Sequence, residues 1–380
     1  MRATLLLLAL AIAATAAPLG ASGPPLQVVA SGLANPRKLF VGAGGAVYVV
    51  EAGTGGRDTC VGAGPARACV GLTGAIARVA GGPRRRVVTG LLSFARPDGG
   101  RAQGPAAAVV RGRTFDVLLQ DGAIDSAGGN DLGPDGVTGG DLISTPAGRA
   151  DPTVLASLAA FEAAHDPDRG AGPGPRFGDP PIDSDPYGLT PYRGGFAVVD
   201  AAGNDLLQVG RDGRISVLAV FPTRRVPLPR AVGRRYGAPA SMRTIAAQSV
   251  PTCVAVGPDG ALYVGELTGV PYAPGAARVW RVEPGRRPEV FASGFTTIAD
   301  LAFDGSDLLV LELTTKGLLG PPSPGELVRV APDGTRTVLA RAGLVDPTGI
   351  AVAGRWIYVA NDGLSPHGEV VRLPRARSGG

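Results

Sequence analysis

Apolar residues along this chain come in short runs, each closed by Gly, Pro or Asp, and the runs recur in groups of four. Between Gln248 and Gly294 the runs TCVAV, ALYVGEL, ARVWRV and EVFAS are separated by GPDG, by the loop Gly269 to Gly275, and by EPG. Runs this short, rich in Val, Tyr and Phe and bounded by turn residues, predict β-strands joined by tight turns. Four in succession predict an antiparallel meander. The order repeats downstream as IADLAF, DLLVLEL, GELVRV, TRTVLA and then PTGIAV, RWIYVAN, GEVVRL. A period of about 40–50 residues carrying four strands marks a β-propeller.

Six units are counted: 32–90, 91–168, 183–221, 248–294, 295–343 and 344–373. The sixth has three strands, and the chain begins with an isolated one, Leu26 to Ser31. Each incomplete end supplies what the other lacks, so the N-terminal strand is expected to complete the last blade and leave no bare edge. One short helix is expected in the second unit. Asp151 reads as its N-cap and Pro152 as its first residue, with Val154, Leu155, Leu158 and Phe161 at helical spacing. The fold class is therefore all-β, a six-bladed propeller of four-stranded antiparallel blades forming one domain over 26–373, with a tail at 374–380.

Composition refines this picture. The 59 Gly and 35 Pro fall at repeated turn positions, which makes them punctuation and not a sign of disorder. Residues 1–22 place Arg2 before the apolar run Leu5 to Ala14 and then small residues, the order of a secretory signal peptide. No other hydrophobic span is present, so the expectation is a secreted, extracellular monomer with no transmembrane segment in the mature chain. In that setting Cys60 and Cys69, nine positions apart in one Gly-rich loop, are expected to form a disulfide, and Cys253, inside a strand, to be a buried thiol. Net charge is +5, with arginine supplying all but two of the 37 basic side chains, and the densest cluster lies in the Pro-broken segment Pro222 to Ala247. Few aromatics interleave with it, so a solvated loop is expected and a nucleic-acid site is not.

The strings GLANPRKLFVGAGGAVYVVEAG, LAAFEAAHDPD, DSDPYGL, VVDAAGNDLLQV, QSVPTCVAVGPDGALYVGELTG, AARVWRV and GFTTIADLAF span nearly the whole chain after its first residues. Together they resemble the ScyD/ScyE family, exported bacterial proteins related to a cyanobacterial sunscreen-pigment gene cluster. The resemblance implies a secreted β-propeller of the NHL/SMP-30 kind and carries over no catalytic residue. The chain departs from it in the second unit, where GPAAAVV replaces a GPHDVAF-like string and removes a His and an Asp.

Aligning the second strand of each unit gives one register of polar residues: Glu51, Gln120, Asp200, Glu266, Glu312 and Asn361. Around a propeller axis, equivalent positions stand at equal radius, and four carboxylates drawn together repel unless a cation or hydrogen bonds intervene. One reading makes Glu51, Asp200, Glu266, Glu312 and Asn361 a Ca²⁺ site. The other, favoured because turns follow at once, has each side chain bond backbone amides of its own blade. The functional expectation is a binding or scaffold protein that holds a small molecule or a protein at one face, with no identifiable catalytic residue and, at most, Ca²⁺ as cofactor. The alternatives are a metal-dependent lactonase of SMP-30-like type, with Glu51, Asp200, Asn204 and Asn361 as ligands, and a quinone-dependent sugar dehydrogenase.

Overall fold

A computed structural model describes residues 25–61, 67–120, 139–178 and 182–375. The expected signal peptide and most of the expected tail lie outside the described residues. Six blades follow one another around an axis, each built on four antiparallel strands; five sheets have those four alone, and blade 1 gains two short strands, Thr59–Val61 and, parallel to Arg85–Ala95, Gly148–Arg149. Their inner strands are Pro36–Val41, Pro105–Arg111, Pro186–Tyr192, Pro251–Val256, Ile298–Asp304 and Gly349–Ala353, and each is the end strand of its sheet. The core is divided into six layers, one between each pair of neighbouring blades. Blades 3 and 4, for instance, meet through Val199, Leu206, Val264 and Trp280, and blades 5 and 6 through Leu309, Leu311, Ile357 and Val371. Every sheet is therefore covered on both faces, which is why the second strands read as almost unbroken apolar runs.

The ring closes as expected. Gln27–Leu33 pairs antiparallel with Gly368–Pro374 and is the outer strand of blade 6, Ala30 facing Val370 and Leu33 facing Gly368. In blade 1 a short strand, Thr59–Val61, pairs with Ala68–Ala80, and the Cys60–Cys69 disulfide joins the two. Cys253 is a free, buried thiol.

Two expectations need correction. The helix in the second unit does not begin at Asp151. Thr153–Ser157 is instead the fourth strand of blade 2, laddered to Asp141–Pro146, and α1 runs only over Leu158–His165, capped by Ser157, whose Oγ accepts from the Ala160 amide. The free edge of Asp141–Pro146 offers hydrogen bonds that a helix there would leave unmade, and this outweighs the local helical spacing. The Arg-rich insertion is likewise structured. Arg224–Pro227 pairs with Thr244–Ala247 around a second helix, α2 (Arg230–Arg235), over a small core of Phe177, Leu228, Ile245 and Val270.

Removing residues 25–31 strips the outer strand from blade 6 and bares its apolar edge. The truncated chain is expected to lose roughly 3–5 kcal/mol of stability. Thermal melting of the two forms side by side checks this, and equal melting would mean that the ring closes elsewhere.

Candidate functional site

The polar register at the ends of the second strands is buried almost completely, and its members reach inward to their own blades. Glu51 Oε2 accepts the Ala34 amide at 2.8 Å, and its carboxylate takes the fork of Arg86 at 2.8 and 2.7 Å. Asp200 Oδ1 accepts the amides of Asp185, Gly203 and Ala202 at 2.7, 3.0 and 3.1 Å, and Oδ2 accepts the Ser184 hydroxyl at 2.6 Å. Glu266 is held by Ser249 Oγ, Trp280 Nε1 and both the backbone and the guanidinium of Arg278. Glu312 accepts the Thr296 amide, and Asn361 Oδ1 accepts that of Val345 at 2.8 Å.

In each of these five blades a donor lies in the connector that leads into the inner strand of the same blade. Blade 2 breaks the pattern, since Gln120 Oε1 is buried without a partner among the described residues. Nor are the carboxylates brought together. Among the described residues, the one trio of acidic groups with oxygens within 4.8 Å of one another is Glu162, Asp166 and Asp168, off this register. The geometry of the register is that of separate local clamps.

The inner strands enclose an axial cavity of about 360 Å³, lined by residues from all six blades. Phe40, Val41, Val110, Pro191 and Val256 stand toward one end, and Lys38 and Asp300 lie across its floor. Because each inner strand pairs on its outward side only, its other edge presents backbone N–H and C=O groups along the wall. The floor is fully bonded. Lys38 Nζ donates to the Ala299 carbonyl and, at 3.0 Å, to Asp300 Oδ1, and it lies 5.4 Å from the centre of the Tyr187 ring. Asp300 Oδ2 accepts the Ile350 amide at 2.9 Å, so blades 1, 3, 5 and 6 meet in one contact. Burial works most strongly against the Lys38 charge, but Asp300, Cys253 and Tyr187 together outweigh it and the ammonium is held above its ordinary pKa. Burial pushes the adjacent Cys253 thiol up to about 12, which keeps it protonated and a poor nucleophile.

Sequence reasoning missed this pair. Its signal was a lysine in the strand PRKLFV of a chain that otherwise uses arginine, facing an aspartate in IADLAF.

No protein-family model matches the chain, and no curated protein is similar to it in sequence. Solved structures are similar in shape. A glucose dehydrogenase superposes with a TM-score of 0.51 at 13% identity, covering 93% of this chain and all of its own length (100%). A putative oxidoreductase (glucose dehydrogenase) from Thermus thermophilus gives 0.48 at 16% identity over 92% of this chain and 99% of that one. A regucalcin from Agrobacterium tumefaciens, described as calcium-binding, gives 0.48 at 12% over 91% and 93%. The likeness is one of fold. What these structures share with this chain is the β-propeller.

One clamp is tuned to neutral pH. Burial raises the Glu312 carboxyl from an ordinary 4.5 to about 7; the Thr296 amide opposes this, and the neighbouring Glu326 carboxylate adds to it. The native state therefore holds a proton that the unfolded chain gives up near pH 4.5. The stability linked to it is complete at acidic pH and is lost as pH rises through about 7. Glu312→Gln should gain up to roughly 3 kcal/mol on wild type between pH 5 and pH 8. Denaturant unfolding at both values measures it, and an equal difference at the two would show that Glu312 is already ionised at pH 5.

Proposed function

We propose that this protein binds a small organic molecule in the axial cavity and acts as a carrier or binding propeller. The observation that carries the reading is the composition of that cavity. Its volume of about 360 Å³ falls within the range of small-molecule sites, and its wall alternates apolar side chains with unpaired strand edges. A ligand with an apolar body and hydrogen-bonding groups on its periphery is complementary to it.

Binding is favoured over bond-breaking by the state of the floor. The Lys38 ammonium is spent on Asp300, Ala299 and the Tyr187 ring, and the Cys253 thiol is held protonated. Neither is free to take a proton from a substrate. The Cys60–Cys69 disulfide supports a place outside the reducing cytoplasm. Membership of the ScyD/ScyE family rests on the motifs quoted above and is part of the same reading.

The probe for the test is 8-anilinonaphthalene-1-sulfonate, an apolar ring system with a polar edge. One dye per chain is expected to bind with enhanced fluorescence. Val41→Arg and Val256→Arg should weaken it at least tenfold, about 1.4 kcal/mol, while leaving melting unchanged, since these side chains are 43% and 38% exposed. Dye binding indifferent to both substitutions would contradict the site. Chelator-sensitive hydrolysis across a panel of lactones would contradict the function and favour the metal-dependent hydrolase.

A further inference from the structure

Away from the axis, five carboxylates gather where α1 meets blade 3. Glu162 lies in α1, Asp166 is the left-handed residue that ends it (φ 41°), and Asp168 follows. Asp200 and Asp205 face each other across the hairpin of blade 3. Gly203 lets the two parts close. A Cβ there would stand 3.1 Å from Glu162 Oε2 and 3.4 Å from Asp200 Cγ, so only a bare Cα lies between the carboxyl groups.

The charges have little to balance them. Among the described residues none of the five takes part in an ion pair, whereas Glu51, Asp116, Glu266, Asp300 and Glu326 all do. Asp200 is saturated by its four donors, and Asp168 Oδ2 accepts the Asn204 side chain at 2.8 Å. Asp205 is the exception: its side chain is wholly buried, and neither oxygen has a hydrogen-bond partner among the described residues. An orphaned carboxylate in such a position costs several kcal/mol unless a proton or a cation joins it. The charges that act on Asp205 are those of Asp200, Glu162 and Asp168, all of its own sign.

We propose that this cluster is a site for a divalent cation, calcium by its chemistry, held by Glu162, Asp166 and Asp168, with the buried, unpartnered Asp205 of the blade 3 hairpin adding its charge. The oxygens of the first three lie within 4.8 Å of one another, the span of ligands around an ion that binds oxygen at about 2.3–2.6 Å. The donor set is all carboxylate, without nitrogen or sulfur. The nearby His165 is turned back, its Nδ1 at 2.9 Å from the Phe161 carbonyl and its ring stacked on Phe161. Hard oxygen donors in an irregular loop suit Ca²⁺ better than Zn²⁺, or than Mg²⁺ with its strict octahedron. The carbonyl end of α1 adds a favourable field for a cation. Asn204, which donates to Asp168 and accepts the Val250 amide at 3.1 Å, ties the site to the connector that leads into blade 4.

The test uses the full chain, freed of metal by chelating resin, and titrates CaCl₂, MgCl₂ and ZnCl₂ by calorimetry with thermal melting in parallel. One Ca²⁺ per chain is expected, bound at least tenfold more tightly than Mg²⁺ and raising the melting temperature. Asp168→Asn and the isosteric Asp205→Asn should each weaken Ca²⁺ at least tenfold. Asp205→Asn should also melt higher than wild type without metal, because it removes an unpaired buried charge. Asp259→Asn, at a surface cluster in blade 4, is the control and should leave calcium binding unchanged. A metal-free wild type that takes up no Ca²⁺ and melts identically with and without it would overturn the proposal. Calcium binding that survives both Asp168→Asn and Asp205→Asn would overturn it equally.

Discussion

The arrangement of this propeller depends on one repeated contact. At the end of the second strand in five of the six blades, a buried polar side chain accepts a hydrogen bond from the connector entering the same blade: Glu51 from Ala34, Asp200 from Asp185, Glu266 from Ser249, Glu312 from Thr296 and Asn361 from Val345. The connector is where the chain leaves one sheet for the next, so the bond fixes the angle between blades as well as the loop. Hydrogen bonds to a charged partner contribute about 1.5–3 kcal/mol, and losing one leaves a buried charge unmet. The closing strand Gln27–Leu33 then adds by pairing what the clamps add by capping, and blade 6 is completed on its outer side.

Fixing the blades at close quarters narrows the axis. At one inner-strand position the approach is so close that only glycine fits: a Cβ on Gly188 would stand 2.8 Å from Val199 and 2.9 Å from the Cys253 backbone. What remains is a cavity and not an open pore, floored by Lys38 and Asp300. That ion pair joins blades 1 and 5 across the axis, which gives it a mechanical role as well as a place at the bottom of the proposed site.

Much of this was legible in the sequence, for a physical reason. Strands packed on both faces must be apolar along their whole length, and the turns between them must carry Gly, Pro and Asp, so blade number and closure follow from pattern alone. The register Glu51 to Asn361 was legible for the same reason, being the first polar residue after each such run. Which atoms those side chains touch was not, because the donors sit about 15–17 residues away in the chain. Thr153–Ser157 was misread as helix because its apolar spacing suits either period, and only the waiting edge of blade 2 decides between them. The carboxylates of α1 stood in the strings LAAFEAAHDPD and VVDAAGNDLLQV in plain sight. Their meeting depends on Gly203 and on the packing of α1 against blade 3, and neither leaves a local signal.

The protein satisfies the carboxylates of its second-strand register itself and leaves Asp205, in the cluster beside α1, without a partner among the described residues. The most direct measurement is an anomalous difference map from a crystal of the full chain grown with calcium and recorded at long wavelength. One cation peak per chain is expected, about 2.3–2.6 Å from oxygens of Glu162, Asp166 and Asp168, and none beside Glu51, Glu266 or Glu312. A peak on the propeller axis, or at the second-strand register with the α1 cluster empty, would contradict it.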